Sequence, residues 1–105
     1  MLERRYLALV AAVGLPKPVT QAVLARAGDR SVRVDCHFAG TPVVVELLGY
    51  HWHRTEAQMS RDAERLNALA VRGYVPLQFT YRQVTTAPRQ AIRATNAAMR
   101  PHPRG

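Results

Sequence analysis

The sequence predicts an α/β fold, a mixed β-sheet flanked by helices, in the order helix, three strands, helix, strand, helix. Three observations carry this. Apolar residues recur at helical spacing in separate stretches near the start, the middle and the end of the chain. Runs with the two-residue alternation or the unbroken apolar character of strands lie between them. A helix-start signature stands in front of the longest helical stretch.

Leu2, Tyr6, Leu9 and Val13 share one helix face, and Gly14 with Pro16 ends it, so residues 2–13 form the first helix. Pro16-Lys17-Pro18 is a stiff connector, and the rough alternation over 19–26 gives a first strand. Ala27-Gly28-Asp29-Arg30 turns the chain. In the second strand Val32, Val34, Cys36 and Phe38 alternate with Arg33, Asp35 and His37. After the turn Ala39-Gly40-Thr41-Pro42, Val43 to Leu48 is an apolar run broken only by Glu46, which suits a strand buried on both faces.

Thr55 and Gln58 make a capping box, Met59, Ala63, Leu66 and Ala70 form an apolar stripe, and Gly73 stops the main helix, residues 56–72. Tyr74 to Thr80 is the last strand, where Pro76 demands an edge position or a bulge. Pro88 opens a final helix to Met99 with Ile92, Thr95 and Met99 inward. Residues 101–105 read as a flexible tail. With no repeat and no linker, residues 1–100 make one domain.

Fifteen Lys and Arg against seven Asp and Glu give a net charge of +8 and a pI near 11.1. All the basic residues except Lys17 are arginine, whose planar fork suits phosphates and base edges, so DNA is the first partner to expect. A GC-rich genome explains the arginine content equally well on charge alone. A hydrophobic fraction of 48% excludes a disordered chain. No apolar stretch nears the roughly 18 residues of a membrane span, and no cleavable leader opens the sequence. The single cysteine, Cys36, excludes an internal disulfide framework and a cysteine-based zinc cluster. A small, cytoplasmic, basic domain with no membrane role is the expectation.

Glu46 inside an apolar strand asks for a reason. If the turn leaves Phe38 opposite Val43, Asp35 lies opposite Glu46 and both share one face; a one-residue slip separates them. Two facing carboxylates repel, and a divalent cation between them relieves this, Mg²⁺ being the usual oxygen-bound ion. Such an ion polarises a phosphodiester and activates water. The alternative is a fortuitous pair of strand-end acids. In the segment Gly49-Tyr50-His51-Trp52-His53-Arg54, His51 or His53 could act as general base and Trp52 could stack on a base. Taken singly, a core Trp and a polar loop His are the better account of each. Arg61 and Arg65 on the main helix could reach phosphates, or simply form a solvated face.

The series V-D-C-H-F, V-V-V-E-L-L-G, G-Y-H-W-H and R-D-A-E-R resembles the Vsr-like endonuclease domain family of the PD-(D/E)XK nuclease superfamily. The match runs from the L-E-R-R helix to about Val84. It implies a restriction-endonuclease-like sheet and a DNA endonuclease using Mg²⁺ or Mn²⁺, with no zinc. By this resemblance Asp35 and Glu46 hold the metal, with the main-chain carbonyl of Leu47, and His53 acts at the scissile phosphate. Glu3, Asp62 and Arg65 brace the site, while Trp52, Arg54 and Arg61 meet nucleic acid. The superfamily has Lys two residues after the second acid and this subfamily usually Asp, but here the residue is Leu48. That departure supports an alternative: a catalytically degenerate member binding nucleic acid or a protein partner without cleaving. Relatives often carry an N-terminal DNA-binding module, which this chain would lack, and a dimer is compatible with the family.

Overall fold

The structure is a computed structural model that describes residues 2–27, 30–49 and 55–100. Helix α1 (Leu2–Ala12) leads into β1 (Val19–Ala27), β2 (Arg30–His37) and β3 (Val43–Leu48). Then come α2 (Glu56–Val71), β4 (Val75–Thr80), α3 (Tyr81–Thr86) and α4 (Pro88–Met99). The expected order is present with one short helix, α3, added. Its signal was in the sequence: Thr80 and Gln83 form a capping box like that of Thr55 and Gln58 at the start of α2.

The sheet order is β1-β2-β3-β4, antiparallel between β1 and β2 and between β2 and β3, and parallel between β3 and β4. A parallel neighbour needs a long crossover, which α2 supplies. Strand β4 lies at the sheet edge, where the missing N–H of Pro76 is tolerated. One face of the sheet is covered by α1, α3 and α4, with Tyr6, Val10, Cys36, Phe38, Val43, Val45, Phe79, Val84 and Ala91 at its centre. The other is covered by α2, where Leu69 packs on Ala22, Val32, Val34 and Val44. Val43, Val44 and Val45 are fully buried, so β3 is enclosed on both faces as its composition requires.

Two local features set the register. In the turn between β2 and β3, the Thr41 amide and hydroxyl both donate to the Phe38 carbonyl (3.0 and 2.7 Å), and Gly40 takes a φ of 80°. The Phe38 amide then donates to the Val43 carbonyl at 3.1 Å, the pairing on which the placement of Asp35 depends. Across the first layer, the buried hydroxyls of Tyr6 and Thr95 meet at 2.8 Å and tie α1 to α4. Thr95 already donates to the Ala91 carbonyl, so Tyr6 is the donor of the pair.

The predicted apolar stripe of α2 is corrected. Ala63 and Ala70 are exposed, and Met59 keeps 54% of its surface in solvent. The face that meets the sheet is instead Asp62, Arg65, Leu66 and Leu69, spaced i, i+3, i+4, i+7. A buried acid on β3 claims this rotation, as described below. Among the described residues no helix is long and apolar enough to cross a membrane.

Candidate active site

Asp35 occupies a place where β2 turns over. In a regular strand residues two apart share a face, yet Val32 and Val34 pack on the α2 side while Cys36 and Phe38 pack on the α1 side. Strand β1 is irregular at the same level. Gln21 sits between Thr20, paired with Cys36, and Ala22, paired with Val34, and has a φ of 50°. A non-glycine residue in the left-handed region carries strain, and such strain gathers at functional sites. The turnover lets Asp35 open into a shallow cleft of about 200 Å³ lined also by Leu2, Glu3, Gln21, Leu47 and Gly49.

The Asp35 carboxylate is anchored there. Its Oδ2 accepts the Leu47 amide at 2.7 Å, just past the last β2–β3 pairs, Cys36 with Val45 and His37 with Val44. Glu3, half-buried on the first turn of α1, accepts from the Gln21 side chain at 3.1 Å. Gln21 escaped the sequence reading, since its signal there is one polar residue in a strand of uneven pattern.

Glu46 lies on the opposite side of β3. Like Val44 it points toward α2, 7% exposed, and its Oε1 accepts from the Arg65 guanidinium, which also donates to the Arg33 carbonyl. Burial pushes the Glu46 carboxyl above its ordinary 4.5, the Arg65 charge and hydrogen bond pull it back, and Asp35 and Asp62 raise it further. The register keeps Asp35 and Glu46 level with each other, as expected, but the turnover of β2 corrects the shared face: the acids address β3 from its two sides. They still feel each other. The buried Cys36 thiol between the layers is pushed up to about 12 by burial, then by Glu3, Asp35 and Glu46, so negative potential converges at this end of the sheet.

Of the other expected residues, Asp62 and Arg65 are half-buried on α2 and Arg61 on the same helix is exposed. Leu47 lines the cleft and Leu48 closes β3 half-buried. His51, Trp52, His53 and Arg54 lie outside the described residues, as do the 28–29 turn and the 101–105 tail.

The chain superposes on the catalytic domain of the homing endonuclease I-Bth0305I with a TM-score of 0.68, covering 91% of each chain at 17% identity. This is a nuclease-like fold. No protein-family model and no curated protein matches the chain. At 17% identity the shared feature is the fold, and the chemistry has to be read from the residues.

Within the nuclease-like fold the donors suit a hard cation. At the cleft Asp35, Glu3 and the main chain of Leu47 offer oxygen, the donor type Mg²⁺ prefers, whereas Glu46 faces α2. Among the described residues no group of three or more His, Cys, Asp or Glu could hold an ion by side chains. Mg²⁺ does not need such a cage, being commonly held by one or two carboxylates, with water and substrate phosphate completing the shell. The raised proton affinity of Glu46 comes chiefly from its burial, which the Arg65 charge and hydrogen bond offset only in part.

Proposed function

We propose that this domain is a Mg²⁺-dependent DNA endonuclease of the Vsr-like type, hydrolysing phosphodiester bonds at the cleft into which Asp35 opens. The observation that supports it best is the turnover of β2 opposite a left-handed Gln21, which takes a carboxylate out of the strand pattern and presents it in a cleft. The shared fold adds to it. Asp35 would hold the ion at the cleft with the Leu47 carbonyl, while Glu46, on the other side of β3 and paired with Arg65, would bear on it through its charge alone. Bound there, Mg²⁺ supplies Lewis-acid polarisation of the phosphate. Arg65 pairs with Glu46 and fixes it, Gln21 holds Glu3 at the cleft wall, and His53 moves the proton of the attacking water or leaving oxygen.

A second reading is favoured by specific observations: Leu48 brings no charge, Arg65 already neutralises Glu46, and the Leu47 amide already engages Asp35. In it the domain binds DNA without cutting. Plasmid nicking with Mg²⁺ or Mn²⁺, wild type beside Asp35→Ala, separates the two. Nicking lost in the variant supports the nuclease. Equal nicking by both proteins shows the metal site to be wrongly assigned. Salt-sensitive DNA binding with no nicking by the wild type selects the degenerate reading.

A further inference from the structure

Helix α4 carries a ridge of charge that the cleft does not use. Arg89, Arg93, Asn96 and Arg100 follow one another at i, i+4, i+7 and i+11, so they fall within a narrow strip of the helix surface. All four are exposed, whereas Ala91 and Thr95 on the opposite face are buried against the sheet and α1. Among the described residues none of these three guanidiniums has an ion-pair or hydrogen-bond partner. No Asp or Glu follows Glu64 in the sequence, so nothing on α4 itself offsets the charge.

The arrangement works against the helix. Arg89 sits in the first turn, where the macrodipole disfavours a cation and where no acid is present. Arg89 and Arg93 are a like-charged i, i+4 pair, which is mildly destabilising in isolation. Arg100, at the C-cap, is favoured by the dipole, but Arg89 and Arg93 weaken the helix and find no partner among the described residues, which suits an external polyanion. Its span is about 16 Å at 1.5 Å per residue, over which one DNA strand presents roughly five phosphates. Gln90, Asn96 and Ala97 on the exposed side are small or uncharged and let a backbone come close.

We infer that the α4 ridge is a docking surface for the phosphate backbone of duplex DNA, separate from the cleft, none of whose lining residues belongs to α4. The inference takes the class of polyanion from the nucleic-acid reading above but does not depend on cleavage. Arginines aligned in one narrow strip, with only the uncharged Asn96 between them, match the line of phosphates along a duplex strand better than the irregular carboxylates of an acidic protein.

The test is the salt dependence of binding to a fluorescent 20-base-pair duplex of arbitrary sequence, read by anisotropy. Replacing Arg89, Arg93 and Arg100 together by Ala is expected to lower the slope of log Kd against log salt by about 2.7 and to weaken binding on the order of 100-fold at 0.15 M salt. The triple Lys variant keeps the slope, because a point charge suffices for a phosphate. Asp35→Ala also keeps it, whatever happens to cleavage, so the ridge and the cleft stand or fall apart. A slope change below 1 in a triple Ala variant with unchanged Tm overturns the proposal. So does absent binding of the wild type at 25 mM salt, or loss of polyglutamate binding while DNA binding stays intact. Should the triple variant not fold, Arg93→Ala alone is expected to lower the slope by about 0.9.

Discussion

Replacing Arg65 by Ala strips a buried carboxylate of its counter-ion and tests how the site is held. The Glu46 side chain is 9% exposed and that of Arg65 32%, so the pair is closed on the acid's side and open on the arginine's. Breaking a fully buried pair costs about 3–5 kcal/mol, and water admitted at the arginine end reduces this to about 2 kcal/mol here. For a chain of this size that is a fall in Tm of about 10 °C. Glu46→Gln keeps the shape and the acceptor oxygen while removing the charge, so its cost is about 1 kcal/mol or less. In the double variant the orphaned charge is gone, and a coupling energy of about 1–2 kcal/mol follows. The assay is urea unfolding of the four proteins at pH 7 with EDTA present. The sign with pH is fixed. Glu46 has a native pKa raised above 4.5, so the native state holds its proton more tightly, and stability falls as pH rises above 4.5. Arg65→Ala raises that pKa further, so its penalty shrinks as pH falls toward 4.5. Additivity within about 0.5 kcal/mol, or a penalty independent of pH, would refute the argument.

Other outcomes follow from the same structure. Thr95→Val leaves the buried Tyr6 hydroxyl without its acceptor and costs about 1–3 kcal/mol. Tyr6→Phe costs only about 1 kcal/mol, because Thr95 still donates to the Ala91 carbonyl; denaturant midpoints should rank them so. Cys36 and Tyr6, ordinarily 9.0 and 10.0, are both pushed up to about 12, chiefly by burial. The native state therefore keeps protons that the unfolded chain loses, and stability should decline as pH rises from 9 to 12 by up to about 1.4 kcal/mol per unit per group. Unfolding midpoints across that range check this, and Tyr6→Phe should flatten the upper part. Folded protein at pH 8 should leave Cys36 unreactive toward a disulfide reagent over minutes, with rapid labelling appearing in denaturant.

Much of the fold was legible because local chemistry specified it. Gly14 and Pro16 end α1, the Thr55–Gln58 box starts α2, Pro76 marks an edge strand and Pro88 opens α4, each a property of a few neighbouring residues. The candidate acids were legible for the same reason, since Glu46 interrupts an apolar run. The α2 face was misplaced because hydrophobic spacing weighs Met59 and Ala63 by their own apolarity. It cannot register that a buried Glu46 on another strand would draw Arg65 inward. Helix α3 was missed although its capping box repeats that of α2, its six residues being too few to display a period.

By itself, then, the sequence determined the order of elements, the turn that sets the β2–β3 register, the arginine excess and the two acids. Tertiary structure alone decided where those acids point. The left-handed Gln21 and the turnover of β2 at Asp35 depend on how three strands fit together, and no alternation in one strand encodes a switch of face. The α4 ridge divides in the same way. Its arginine spacing is written in the chain, but its separation from the cleft exists only once α4 has packed its apolar face against the sheet.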